Sequence, residues 1–185
     1  MNIIKTTLPE ASILNQSTFD YVDSFSGTYL DMENEITSAD IGKAFFTASP
    51  KWIGALFELR NRIVSLFGLK TSGKPNNRQA LLDSFQCAPD ERLGLFKVYH
   101  RDENEVILGE DDKHLNFRVS VFKAGDETDK ISKTLTVSTI VQYNNWFGKL
   151  YFFPVKPFHQ LIVPSMVKSV IQAIEGKENE QRPVL

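Results

Sequence analysis

Residues 114–123, His-Leu-Asn-Phe-Arg-Val-Ser-Val-Phe-Lys, and residues 131–142, Ile-Ser-Lys-Thr-Leu-Thr-Val-Ser-Thr-Ile-Val-Gln, decide the fold. In the first, Leu115, Phe117, Val119 and Val121 alternate with His114, Asn116, Arg118 and Ser120. In the second, Leu135, Val137, Thr139 and Val141 alternate with Ser132, Thr134, Thr136 and Ser138. A period of two marks β-strands with one dry and one wet face. The polar stretch Ala124 to Lys130 joins them. Upstream, Leu93 to His100 and Glu105 to Glu110 flank Arg101 to Asn104 (RDEN), whose composition is that of a hairpin turn. These segments predict an antiparallel meander.

A dry sheet face needs a cover. Phe158, Leu161, Ile162, Val163, Val167, Val170, Ile171 and Ile174 recur at spacings of three and four, which predicts a long amphipathic C-terminal helix. Pro164 lies inside it and predicts a kink or break. Further upstream, Thr18 to Phe25 reads as a strand with Phe19, Tyr21 and Phe25 on one side. Thr37 to Asp40 (TSAD) reads as a capping box with Asp in place of Glu, opening a short helix. Ser49-Pro50 opens a second, amphipathic helix that Gly68 ends. The class is therefore α+β: a strand, two helices, antiparallel strands and a C-terminal helix. Residues 1–174 read as one domain, and the charged stretch 175–185 as a disordered tail.

Composition narrows the function. The 185 residues carry a net charge of -2, which leaves no strong field to hold nucleic acid or anionic lipid, since such binding runs on clustered positive charge. No run of about 18 apolar residues suits a membrane span. The opening MNIIKTTLPEASIL lacks the apolar core of a signal peptide, and a lone cysteine, Cys87, forms no internal disulfide framework. A cytoplasmic setting is the expectation. Fourteen Phe against five Tyr and two Trp predict a wide apolar interior.

The motifs are sparse. Gly68 to Pro75 (GLKTSGKP) begins like a phosphate-binding loop, yet Pro75 stands where Ser or Thr would hold magnesium. His100, His114 and His159 lack the spacing of a metal site, so neither metal nor cofactor is implied. Cys87 has no cationic neighbours in sequence to activate it. The candidate ligand contacts are Tyr99, Glu110, Arg118, Tyr143, Asn144, Trp146 and His159. Tyr99 and Glu110 are polar groups amid apolar strand residues. Arg118 is either one half of a surface ion pair with Glu110 or Asp112, or an inward cation. Tyr143, Asn144 and Trp146 sit in the connection after the last long strand. His159 lies at the start of the covering helix beside Phe158 and, if that turn faces the cavity mouth, is suited to acid–base work.

Pro50-Lys51-Trp52, Leu59-Arg60-Asn61, Phe67 to Lys70, Asp111 to Ser120, Thr139 to Asn145 and Pro157-Phe158-His159 extend the reading to a family. Together, from about residue 15 to residue 174, they resemble an uncharacterised bacterial family of domains of unknown function. That family is related to the START-like superfamily of polyketide cyclases and lipid carriers. The resemblance implies a helix-grip fold, in which a curved antiparallel sheet wraps a long C-terminal helix around an apolar cavity. It supplies no catalytic residue. It implies that such domains also follow nucleotide-binding Rossmann domains, of which this chain has none. The leading expectation is a non-catalytic binder of a small hydrophobic or aromatic molecule between sheet and helix. The alternatives are a cyclase or dehydratase using His159 with Glu110, and an interaction module docking a protein partner or a second copy through aromatics near Trp146 and Tyr151.

Overall fold

A computed structural model describes residues 1–48, 50, 52, 53, 78–125 and 131–180. Among them the strands are β1 (Ile4–Thr6), β2 (Tyr21–Leu30), β3 (Arg92–Leu93), β4 (Phe96–Arg101), β5 (Glu105–Asp111), β6 (Leu115–Gly125) and β7 (Ser132–Tyr143). The helices are α1 (Ser38–Thr47), α2 (Arg78–Ser84) and α3 (Trp146–Glu180). The strands form one sheet in the order β1-β2-β7-β6-β5-β4-β3, antiparallel throughout. This is α+β, with a long C-terminal helix on an antiparallel sheet.

The expected order needs correction at the start. The strand read at Thr18 to Phe25 is β2, shifted to Tyr21–Leu30, and it is preceded by β1 and a 3-10 turn over Ile13–Gln16. The two helices therefore do not follow the first strand. The first of them is α1, and its capping box is complete: the Thr37 hydroxyl accepts from the Asp40 amide at 3.1 Å while the Asp40 carboxylate accepts from the Thr37 amide at 3.0 Å. The helix read from Ser49 to Gly68 lies almost entirely outside the described residues. The single strand read from Leu93 to His100 is split into β3 and β4, because Gly94 turns the chain at φ +62. The RDEN turn is present, with Asp102 Oδ1 accepting from the amides of Asn104 and Glu105 at 2.8 Å each.

The two faces of the sheet are both closed over their middle. On one, Phe25, Val106, Leu108, Val119, Val121, Leu135 and Val137 meet Val163, Met166, Val167, Val170, Ile171 and Ile174 of α3 in the main core. Phe45, Phe46, Phe85, Phe96 and Phe117 fill the α1 end with edge-to-face rings 5.2 to 6.0 Å apart. The opposite face, read as wet, is covered in part by the N-terminal segment, where Leu14 packs on Ile107 and Ile140. Ser24, Ser120, Ser138 and Glu105 are all buried there. They satisfy one another: Ser24 Oγ donates to Ser138 Oγ at 2.8 Å, and Glu105 Oε1 accepts from Ser12 Oγ at 2.5 Å and from Ser120 Oγ. Glu105 Oε2 accepts from the Ile13 amide at 2.9 Å. A buried carboxylate with three donors thus fastens the chain's first segment to the sheet.

α3 is continuous from Trp146 to Glu180, so Pro164 does not break it, and Pro154 and Pro157 lie inside it as well. The helix extends to Glu180, into the stretch read as a tail; residues 181–185 lie outside the described residues. Its start is fixed by Asn145, whose Oδ1 accepts from the amides of Phe147 and Gly148 at 3.1 Å. A Cβ on Gly148 would lie 2.0 Å from the His114 carbonyl oxygen, so only glycine lets the first turn of α3 seat against β6. Phe158 and Leu161, read as part of the covering stripe, are exposed instead; after Phe152, which is buried beside Leu115 and Val141, burial resumes at Val163.

Glu105→Gln keeps the side chain's shape but removes the charge that strengthens its three hydrogen bonds. It is expected to lower stability by about 2 kcal/mol in urea unfolding. A loss below a few tenths would mean that the N-terminal segment is not held through this carboxylate.

Candidate functional site

The alternation that makes β2 a strand puts Tyr21, Asp23 and Phe25 on the face that α3 covers, and the register sets Asp23 opposite Thr139 of β7. An acid and a hydroxyl thus interrupt an apolar face. Asp23 is 4% exposed. Its Oδ2 accepts from the Tyr21 hydroxyl at 2.6 Å and lies 3.1 Å from His159 Nδ1, reaching from α3. Facing a carboxylate oxygen, Nδ1 is the donor, which fixes the tautomer and leaves Nε2 as the reactive nitrogen. Gln160 Nε2 donates to the Tyr21 hydroxyl at 3.5 Å. The Tyr21 ring packs against Phe152 at 4.9 Å and edge-on to His159 at 6.4 Å. Burial, then the hydrogen bond to Asp23, pushes the Tyr21 hydroxyl far above its ordinary pKa, so it stays a protonated donor.

One observation sets this cluster apart. Among the described residues, three buried side-chain polar atoms lack a hydrogen-bond partner: Asp23 Oδ1, Thr139 Oγ1 and the Tyr29 hydroxyl. Two of the three belong to the cross-strand pair Asp23 and Thr139. Buried polar atoms are almost always paired, so two orphans side by side mark a place where a hydrogen-bonding group belongs.

The residues singled out from sequence fall in four places. His159 joins Asp23, as above. Glu110 shares the inner face but pairs with Arg92. The β5-β6-β7-β2 order separates it from Tyr21 by three strand spacings, about 14 Å. The expected partnership of His159 with Glu110 is therefore replaced by one with Asp23. Tyr99 and Arg118 lie together on the opposite face: the guanidinium sits 3.6 Å from the ring centroid, and both reach Asp111, at 2.9 Å from the hydroxyl and 2.8 Å from Arg118 Nη2. Arg118 is thus in the ion pair its plain reading anticipated, with Asp111 rather than Glu110 or Asp112. Burial raises the Asp111 pKa, but the hydrogen bonds from Arg118 and Tyr99 outweigh it and hold the carboxyl below its ordinary range. Tyr143, Asn144 and Trp146 mark the junction of β7 and α3. The Tyr143 ring lies 5.9 Å from Phe152, Asn144 Nδ2 donates to the Asp112 carbonyl and Asn116 Oδ1, and Trp146 points to solvent.

His100 lies beside Asp102 and His114 beside Asn145, so the three histidines do not converge. The GLKTSGKP string lies outside the described residues. A pocket of about 360 Å³ opens elsewhere, lined by Thr37, Ser38, Asn104, Lys123 and Lys133 among others. Cys87 is fully buried, and burial followed by repulsion from Glu91 pushes its thiol up to about 12.

Sequence reasoning missed Asp23 and Thr139. The signal for Asp23 was present: it falls at period two between Tyr21 and Phe25, a charge on a strand's apolar side. Thr139 carried no such signal, since threonine suits any strand face.

A family model described as "Protein of unknown function (DUF2867)" matches residues 16–166 of the chain. The match takes in Asp23, Thr139 and His159. Comparison with curated proteins and with solved structures finds no match.

Two outcomes are expected. Thr139→Val replaces an unbonded buried hydroxyl by an isosteric methyl and should raise stability by about 1 kcal/mol, whereas Ser138→Ala, which breaks a buried hydrogen bond, should lower it. A Thr139→Val chain with a lower melting temperature than wild type would show that the hydroxyl is bonded. At pH 8 the Cys87 thiol, far below its pKa of about 12, should resist a thiol-titrating disulfide reagent until denaturant is added. Labelling of the native chain within minutes would contradict its burial.

Proposed function

Because this chain belongs to the DUF2867 family, a family of unknown function, its role has to be argued from its own residues, and we propose that it binds a small, largely apolar molecule at the seam between α3 and the β2–β7 pair. The observation that carries this reading is the orphaned pair of Asp23 Oδ1 and Thr139 Oγ1 beneath the helix. A ligand that offers a hydroxyl, amide or amine hydrogen would satisfy the carboxylate oxygen, and Thr139 can both donate and accept. The aromatic rings of Tyr21 and Phe152 would border the apolar part of such a molecule. Sites for small molecules are built in this manner, mostly apolar with a few placed polar groups.

A second reading, acid–base catalysis of the cyclase or dehydratase kind, is favoured by the His159–Asp23 contact at 3.1 Å. A carboxylate that holds Nδ1 orients the imidazole, leaving Nε2 to exchange protons with a substrate. Binding comes first in either case.

The test is native mass spectrometry of the chain purified gently from its own cells, followed by denaturation and analysis of any released compound. A stoichiometric compound is expected, and Asp23→Asn should reduce its occupancy about tenfold while the circular dichroism spectrum is retained. An empty wild-type chain, or a compound retained equally by Asp23→Asn, overturns the reading. If a substrate emerges, His159→Gln separates the two roles: a catalytic histidine loses turnover and spares binding.

A further inference from the structure

The first half of α3 leaves a line of large apolar side chains in solvent. Trp146 is 75% exposed, Leu150 58%, Phe153 79% and Leu161 65%. At 3.6 residues per turn their spacings of four, three and eight place them on one side of the helix, with the exposed Pro157 between them. A single exposed Leu needs no explanation, but a contiguous aromatic and aliphatic line marks a contact surface.

The charges along this line have one sign. Lys149 and Lys156, seven residues apart and both exposed, run along one flank, and the exposed Lys168 continues beyond Leu161. No Asp or Glu occurs between Trp146 and Ile174. A chain of net charge -2 therefore carries one helix face that is purely cationic. The ridge belongs to a single helix on the outside of the fold, so it offers a convex edge suited to a flat partner. An apolar line of Trp, Phe and Leu flanked by lysines is the pattern of a helix that lies in a membrane interface, where Trp is enriched and anionic headgroups attract the cations. A second copy packed antiparallel across a twofold axis would bring lysine flanks of like charge together, which opposes that mode of self-association. Among the described residues no helix is long and apolar enough to cross a membrane, as an in-plane contact requires none to be.

We propose that the N-terminal half of α3 docks the protein on an anionic lipid surface, with Trp146, Leu150, Phe153 and Leu161 entering the interface and Lys149 and Lys156 meeting the headgroups. The contact meets the ligand site at one point, where Lys156 Nζ stands 5.1 Å from the Tyr21 ring centroid; Trp146, Leu150, Phe153, Leu161 and Lys149 make no side-chain hydrogen bond to Asp23, Thr139 or His159.

The test is co-sedimentation of the full chain with vesicles of phosphatidylcholine alone and of phosphatidylcholine mixed with phosphatidylserine. The chain should sediment with the anionic vesicles, release on addition of salt, and show a blue shift of Trp146 emission in a Trp52→Phe background. The double substitution Lys149→Gln and Lys156→Gln should weaken partitioning about 25-fold, roughly fivefold for each lysine. Phe153→Ser should weaken it about tenfold. All three are surface positions, so retained circular dichroism confirms that folding is intact. Absence of sedimentation with anionic vesicles, equal sedimentation with neutral ones, or a dimer in ultracentrifugation that Phe153→Ser dissociates would each overturn the proposal, the last by showing that the occupant is a second copy.

Discussion

Burial of Val163, Met166, Val167, Val170, Ile171 and Ile174 against the inner face of the sheet fixes α3, and the rest of the helix is placed by that contact. Each of these side chains contributes on the order of 2 kcal/mol by leaving water, so the second half of the helix is anchored many times over. The first half is held more lightly, by Asn145 and Gly148 at its start and by Phe152 against Tyr21 and Tyr143. His159 sits at the transition between the two regimes. It is near enough to the core to reach a buried carboxylate and near enough to the surface to remain partly open. The candidate site and the exposed ridge are two consequences of one helix that is longer than the sheet it covers.

Two of the carboxylates that the sheet buries, Glu105 on one face and Asp23 on the other, contrast in a way that separates structure from function. Glu105 has three donors and is closed by the N-terminal segment; it satisfies the rule that a buried charge must be hydrogen-bonded. Asp23 satisfies the rule at one oxygen only. Its neighbour Thr139 is likewise incomplete, although the strand pairing around both is regular. Since strands tolerate valine at such positions at least as well as threonine or aspartate, folding alone supplies no reason for this pair. The unmet hydrogen bonds are what give the seam a chemical specification.

Period-two alternation made β6 and β7 legible, and the TSAD cap and the RDEN turn were legible because capping and turn formation use local chemistry. The outer face of the sheet reads as wet from its sequence, yet Ser24, Ser120, Ser138 and Glu105 are buried on it. Ser120, Ser138 and Glu105 are polar, and polarity predicts exposure unless a distant segment supplies partners, here Ser12 and Ile13, more than ninety residues away in sequence from Glu105. The same limitation hid the site. His159 stood out as a titratable group beside an apolar run, but its partner lies on a strand 136 residues earlier, and only the sheet register brings Asp23 beneath it. Phe158 and Leu161 depart in the opposite sense: apolar periodicity predicts burial, yet it continues past the edge of the surface available to bury it.

The prolines of α3 bear on how deep that uncovered line can sit. Pro154 and Pro157 lack an N–H, so the carbonyls of Leu150 and Phe153, four residues earlier, lose their helical donors. In hydrocarbon an unmet carbonyl costs several kcal/mol, because nothing there can replace the bond. At the level of lipid headgroups water and ammonium groups are at hand, and the cost falls away. Both prolines are exposed and interleave with the apolar ridge, so the backbone itself tolerates contact with an interface and resists immersion in a bilayer core. A helix built for full insertion would carry its prolines elsewhere or cover them with neighbours; this one keeps them on the side that water or headgroups can reach.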